Sequence, residues 1–91
     1  MKEKEAYQQQ IQSILIQKET LNLQLLEIQK ALEDLERTGD KEVFKLSGPI
    51  LLKMDAEEVK KELKEKEELL KSRIASLEKL ESQVKEKLKK E

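Results

Sequence analysis

With 91 residues, 36% of them hydrophobic, and with one Phe, one Tyr and no Trp, the chain is bounded to a single domain and has little to fill a globular core. Nineteen basic residues offset 20 acidic ones without a basic block that could displace counterions from a nucleic acid. No apolar run exceeds three residues, which excludes a bilayer span and a signal-peptide core.

The expectation is therefore an elongated or oligomeric, soluble, cytoplasmic protein with no nucleic-acid and no membrane partner. Lys, Glu, Leu and Gln dominate while Gly (two) and Pro (one) are scarce, the composition of long helices. Cysteine is absent, so neither a disulfide framework nor a thiolate metal site is available.

In the first part of the chain, Lys4, Tyr7, Ile11, Ile14, Lys18, Leu21, Leu25, Ile28, Leu32 and Leu35 are spaced alternately three and four apart. That is a heptad seam, and it predicts a coiled-coil helix over about residues 4–38. Lys18 is expected to lay its stem along the seam with its ammonium in water. Gly39 can take the left-handed conformation that closes the helix. Ile16 and Leu23, seven apart on the side away from the seam, and Leu26 close by form an outer apolar stripe. This stripe faces a neighbour, a client or simply water, since scattered exposed apolar groups are ordinary.

The midpoint, "VFKLSGPILLK", is the least charged stretch of a chain that is 43% charged. Residues 42–46 and 50–53 read as short strands around Ser-Gly-Pro turn chemistry, a hairpin within about residues 42–54. Phe44 and Leu46 share one face of the first strand with Val43 on the other, while the second strand presents Ile50, Leu52 and Met54 on one face and Leu51 on the other. Both faces are apolar. A lone hairpin is marginal in water and its edges are unpaired, so hairpins of other subunits would complete it, the alternative being a private hairpin folded against its own helix ends.

A second helix is predicted over about residues 56–90, with Asp55 as its cap and Glu58 in a capping-box position. Val59, Leu63, Leu70, Ile74, Leu77, Leu80, Val84 and Leu88 form its stripe, interrupted at Lys66. Glu57/Lys61, Glu62/Lys66, Glu67/Lys71, Glu81/Lys85 and Glu86/Lys90 are pairs four apart that support the wet face. Two helices of similar length, each about 50 Å at ~1.5 Å per residue, suggest an antiparallel pair. The fold class is thus mainly α, an antiparallel two-helix coiled coil joined by a single β-hairpin.

The stretches "YQQQIQSILIQKETLNLQLLEIQKALEDLE", "VFKLSGPILLK" and "KKELKEKEELLKSRIASLEKLESQVKEKL" together resemble the β class of prefoldin subunits, the archaeal form most of all. A single hairpin, not the two of the α class, assigns the class. The resemblance implies a heterohexamer of two α and four β subunits whose hairpins build a β-barrel platform with coiled coils hanging from it. Val43, Phe44, Leu46, Ile50, Leu51 and Leu52 would then be oligomer-interface residues.

The resemblance further implies an ATP-independent chaperone that grips non-native proteins at the coil tips and passes them to a group II chaperonin. Near the tips stand Tyr7, Ile11, Ile14 and Leu15 on one helix and Leu80, Val84 and Leu88 on the other, candidates for client contact that equally fit packing within the seam. Family members usually extend further at both ends, so a short arm is expected. The function needs no cofactor, and the chain has no His, no Cys, no phosphate-cradling glycine loop and no metal-ligand cluster, which argues against an enzyme. The competing reading is a structural coiled-coil adaptor that homo-oligomerises without client binding.

Overall fold

The computed structural model describes residues 2–90 and follows the order α1 (Lys2–Thr38), β1 (Glu42–Ser47), β2 (Ile50–Asp55), α2 (Ala56–Lys89). Helix α1 contains neither Gly nor Pro, and its apolar residues recur at helical spacing, so nothing interrupts it before Gly39. There the chain turns left-handed, with φ 67°, and the Gly39 amide donates to the Leu35 carbonyl at 3.2 Å, closing the last turn.

At the other junction the Asp55 carboxylate accepts from the Glu57 amide at 3.3 Å and caps α2. Glu58 makes no reciprocal bond among the described residues, so the cap is a single bond and not a capping box. The Ala56 amide donates to the Lys41 carbonyl at 2.8 Å, and Ala56 itself is buried. This bond ties the entry of the hairpin to the start of the second helix.

The helices pack antiparallel into an object 58 × 25 × 16 Å across with a radius of gyration of 18.7 Å, where a compact chain of this length would have about 12 Å. Among the described residues no large side chain is fully buried. The core is a single file of residues, and Ile14, Leu70, Ile74 and Val84 are its most enclosed large members.

Along α2 the observed seam is Ala56, Lys60, Leu63, Glu67, Leu70, Ile74, Leu77, Glu81, Val84 and Leu88, all buried or half-buried. Lys60 joins beside the expected Val59, which is half-buried as well, and the sequence expectation is corrected in two further places. Leu80 is exposed and Glu81 is buried in its stead; Lys66 is exposed and Glu67 takes the seam. The reason is geometric, because the alternation of four and three is unbroken only if these charged residues are admitted to the apolar face. At the far end of α1, Lys4 is exposed and not part of the seam.

Of the five expected Glu/Lys pairs on α2, only Glu81–Lys85 (3.5 Å) comes within ion-pair distance. Glu57 instead meets Lys60 at 3.5 Å, and Glu62 reaches Lys45 of the hairpin at 3.6 Å. Surface pairs of this sort contribute little, so tertiary geometry decides freely among them.

Candidate assembly surface and arm ends

The hairpin has a two-residue loop, Gly48-Pro49, between the paired Ser47 and Ile50. Gly48 has φ 59°, and proline holds φ near −65° at the next position. Positive φ at the first central residue alone is the type II′ turn, whose twist matches that of the flanking strands. Pro49 excludes the I′ alternative, which needs positive φ at both.

Cross-strand pairing fixes which side chains share a face. Phe44 lies opposite Lys53, Leu46 opposite Leu51, Val43 opposite Met54, Lys45 opposite Leu52 and Ser47 opposite Ile50. Phe44, Leu46 and Leu51 therefore make one apolar face, and they are 64%, 73% and 62% exposed. At the base of that face Lys53 Nζ meets Glu42 Oε2 at 2.7 Å.

The opposite face carries Val43, Ile50, Leu52 and Met54. Val43 and Met54, nearest the helices, are half-buried, whereas Ile50 and Leu52, nearer the turn, are exposed. Lys45 on this side leans to Glu62 of α2. Of the six residues expected at an oligomer interface, five are thus displayed to solvent, and Val43 is partly covered by its own chain. With only two strands, each strand also has one edge whose backbone groups face no partner. An apolar face beside an open edge is a surface built to be covered.

The other candidate region is the end of the coil away from the hairpin. Ile14 and Val84 are each 3% exposed, packed into the seam. Tyr7, Ile11 and Leu88 are half-buried, and Leu15 and Leu80 are exposed. Among the seven tip candidates, therefore, two are free to meet a client while the coil is closed.

The outer stripe divides in two. Leu23 and Leu26 share a shallow depression on α1 with Leu15. Ile16 lies instead in a groove between the helices with Leu21 and Leu77. All three members of the stripe are exposed. On α2, Leu69 is an exposed apolar residue that the sequence pattern absorbed into the Leu-Leu run around Leu70.

Between the arm end and the rest of the coil, Lys18 Nζ bonds Glu81 Oε1 at 3.1 Å, with both side chains largely covered, at 19% and 12% exposure. The Lys18 ammonium thus sits against a carboxylate, a correction to the expectation that it would lie in water. The Glu81 carboxyl titrates below its ordinary value, chiefly through the hydrogen bond from Lys18; desolvation opposes this, and the charges of Lys18 and Lys85 add to it. Glu81 was missed in the sequence because a glutamate among many reads as wet face. Its spacing, four after Leu77 and three before Val84, was the available signal.

Among the described residues there is no group of His, Cys, Asp or Glu arranged to hold a metal ion, and no helix long and apolar enough to cross a membrane.

Comparison with known proteins agrees with this architecture. The family described as "Prefoldin subunit" matches residues 1–91. The prefoldin subunit beta of Thermococcus onnurineus (strain NA1) is 42% identical over 86 residues, spanning 93% of this chain and 74% of that protein. That of Pyrococcus furiosus is 40% identical over the same shares. The crystal structure of the prefoldin beta subunit from Thermococcus strain KS-1 superposes with a TM-score of 0.89 at 40% identity, covering 96% of this chain and 77% of that one.

Proposed function

Because this chain belongs to the prefoldin subunit family and is similar throughout to its beta members, we propose that it is an ATP-independent chaperone subunit that works as part of a hexamer with α-class subunits. In this reading two α and four β chains assemble through their hairpins, and the coils project from the platform. Their free ends hold non-native proteins and deliver them to a group II chaperonin in the cytoplasm, with no catalytic step.

The observation that supports this best is the hairpin face of Phe44, Leu46 and Leu51. Three large apolar side chains lie uncovered beside unpaired strand edges, on an element too small to be stable alone. Joining hairpins of several chains would bury those side chains and pair those edges at once. Several arms acting together then hold a client through contacts that are individually weak and reversible.

Native mass spectrometry of the chain alone and mixed with an α-class prefoldin subunit tests the assembly. The expected result is a new species of two α and four β chains. A β-only oligomer unchanged by the α subunit, together with no suppression of aggregation of an unfolded client in light scattering, would leave the coiled-coil adaptor as the reading.

A further inference from the structure

The seam of this coil is nearly indifferent to its own alignment, except at one rung. With Lys18 facing Glu81, heptad counting sets Ile14, Leu21, Ile28 and Leu35 against Val84, Leu77, Leu70 and Leu63. The joint lining of one groove by Leu21 and Leu77, and of another by Ile28 and Leu70, agrees with that count. Sliding one helix by a heptad would still lay aliphatic on aliphatic wherever these layers overlap, as Leu21 on Val84 and Ile28 on Leu77 or, the other way, Leu21 on Leu70 and Ile28 on Leu63. The same holds for pairing α1 with the α1 of another chain.

The layer containing the ion pair behaves differently. In the observed register its members pair as Ile11 with Leu88, Lys18 with Glu81, Leu25 with Ile74 and Leu32 with Glu67. Slid one way, Lys18 faces Leu88 and Glu81 faces Leu25; slid the other way, Lys18 faces Ile74 and Glu81 faces Ile11. Either slip leaves Lys18 covered against an aliphatic side chain and Glu81 with only Lys85 of its own helix, at 3.5 Å, which is costly because nothing replaces the shorter bond between them. Parallel pairing of like helices in register would set Lys18 against Lys18, or Glu81 against Glu81.

We infer that the Lys18–Glu81 pair is the specificity determinant of the coil: it selects the antiparallel pairing of α1 with α2 in this register over slipped and like-with-like pairings. The hairpin and the Ala56–Lys41 bond fix alignment at the near end, but Lys18 lies about 30 Å along α1 from Thr38 at ~1.5 Å per residue. At that distance the hairpin restrains splaying of the arm least, although a slip of a full heptad within one chain would also have to break the junction bond, which pairing between chains would not. The bond joins residues 63 apart in sequence, and Lys85 reinforces it by reaching Glu81 Oε2 at 3.5 Å. The inference concerns the coil alone and is independent of how the hairpins assemble.

The chain has no cysteine, so introduced thiols report alignment without interference. Leu21→Cys with Leu77→Cys reports the observed register, Leu21→Cys with Val84→Cys the slipped one, and Leu21→Cys alone the pairing of α1 with α1 between chains. Each is placed in the parent, in Lys18→Leu/Glu81→Leu and in the charge-reversed Lys18→Glu/Glu81→Lys. After oxidation, intrachain and interchain disulfides are quantified by mass spectrometry, with helical content followed by circular dichroism. The leucine double variant is expected to melt at a higher temperature yet to show a several-fold rise in slipped or interchain cross-links, while the reversed pair keeps the parental pattern. The same distribution of cross-links in the leucine variant as in the parent would overturn the inference, whatever its melting temperature.

Discussion

Single residues decide how this thin coil is held, because a one-layer core has no redundancy. Ile74 is in the seam, so Ile74→Ala should lower the urea midpoint by an amount equivalent to about 2 kcal/mol, near the low end for removing an aliphatic side chain from a core. Leu80→Ala, one position outside the seam, should change stability by no more than about 0.5 kcal/mol. Equal losses in the two variants would put Leu80 back in the seam. Glu81 gives a pH dependence of definite sign. Its carboxyl titrates below its ordinary value of 4.5, so the stability it contributes is fully present above that pH and is lost as pH falls through the folded-state value. Thermal melts from pH 7 downward should show the parent losing stability below pH 4.5 more steeply than Glu81→Gln, whose melting temperature is already lower at neutral pH.

At the level of elements, the hairpin and the helices answer to different forces. The helices are stabilised by packing against each other; the hairpin meets α2 near its base, where Val43 and Met54 are half-buried and Lys45 pairs with Glu62, and presents most of the remainder to solvent. Cross-strand register places Phe44 and Leu52 on opposite faces, so Phe44→Asp and Leu52→Asp probe each face in turn. On the proposed assembly, both should disperse the oligomer in sedimentation velocity while leaving most of the helical circular dichroism. Oligomers of unchanged mass in both variants would remove the hairpin from assembly. The turn adds a subtler test. A Cβ at Gly48 would meet no atom, so Gly48→Ala costs only the backbone strain of a positive φ, on the order of 1–2 kcal/mol. That cost should appear as a weakened assembly at low protein concentration, with little effect on coil melting.

For the whole molecule, the elongated shape separates the two candidate surfaces. The hairpin and the arm end lie at opposite ends of a body 58 Å long, so changes at one should leave the other intact. Buried Ile14 and Val84 support the coil, whereas exposed Leu15 and Leu80 are free for contact. Leu15→Ser with Leu80→Ser should therefore reduce protection of an aggregating client in light scattering at matched oligomer concentration, with assembly and melting temperature kept. Avidity multiplies a small loss per arm across several arms. Undiminished protection would move client contact along the coil to Leu23 and Leu26, which adjoin Leu15 on the outer side of α1.

The two helices, the hairpin between them and the alternation of three and four along α1 are legible in the residue order, because these follow from local rules. Gly39 and Asp55 mark helix ends, Gly48-Pro49 makes the turn, and aliphatic side chains at heptad spacing gather on one face of a helix. The residue order also shows Val43 to Leu52 as a stretch too apolar to stand alone. Which charged residues of α2 join the apolar seam follows instead from how the two helices pack. The heptad spacing already put Lys18 in the seam of α1, but Lys60, Glu67 and Glu81 look like any others in a chain that is 43% charged, and a Leu one position away from Glu81 is the better hydrophobe. Burial of Glu81 is tolerable only because Lys18, 63 residues earlier, arrives opposite it when the helices pair. The same holds for the faces of the hairpin, where Leu51 joins Phe44 and Leu46 only once the register is set. Such pairings join distant parts of the chain, so local spacing can admit Glu81 to the seam but cannot name its partner.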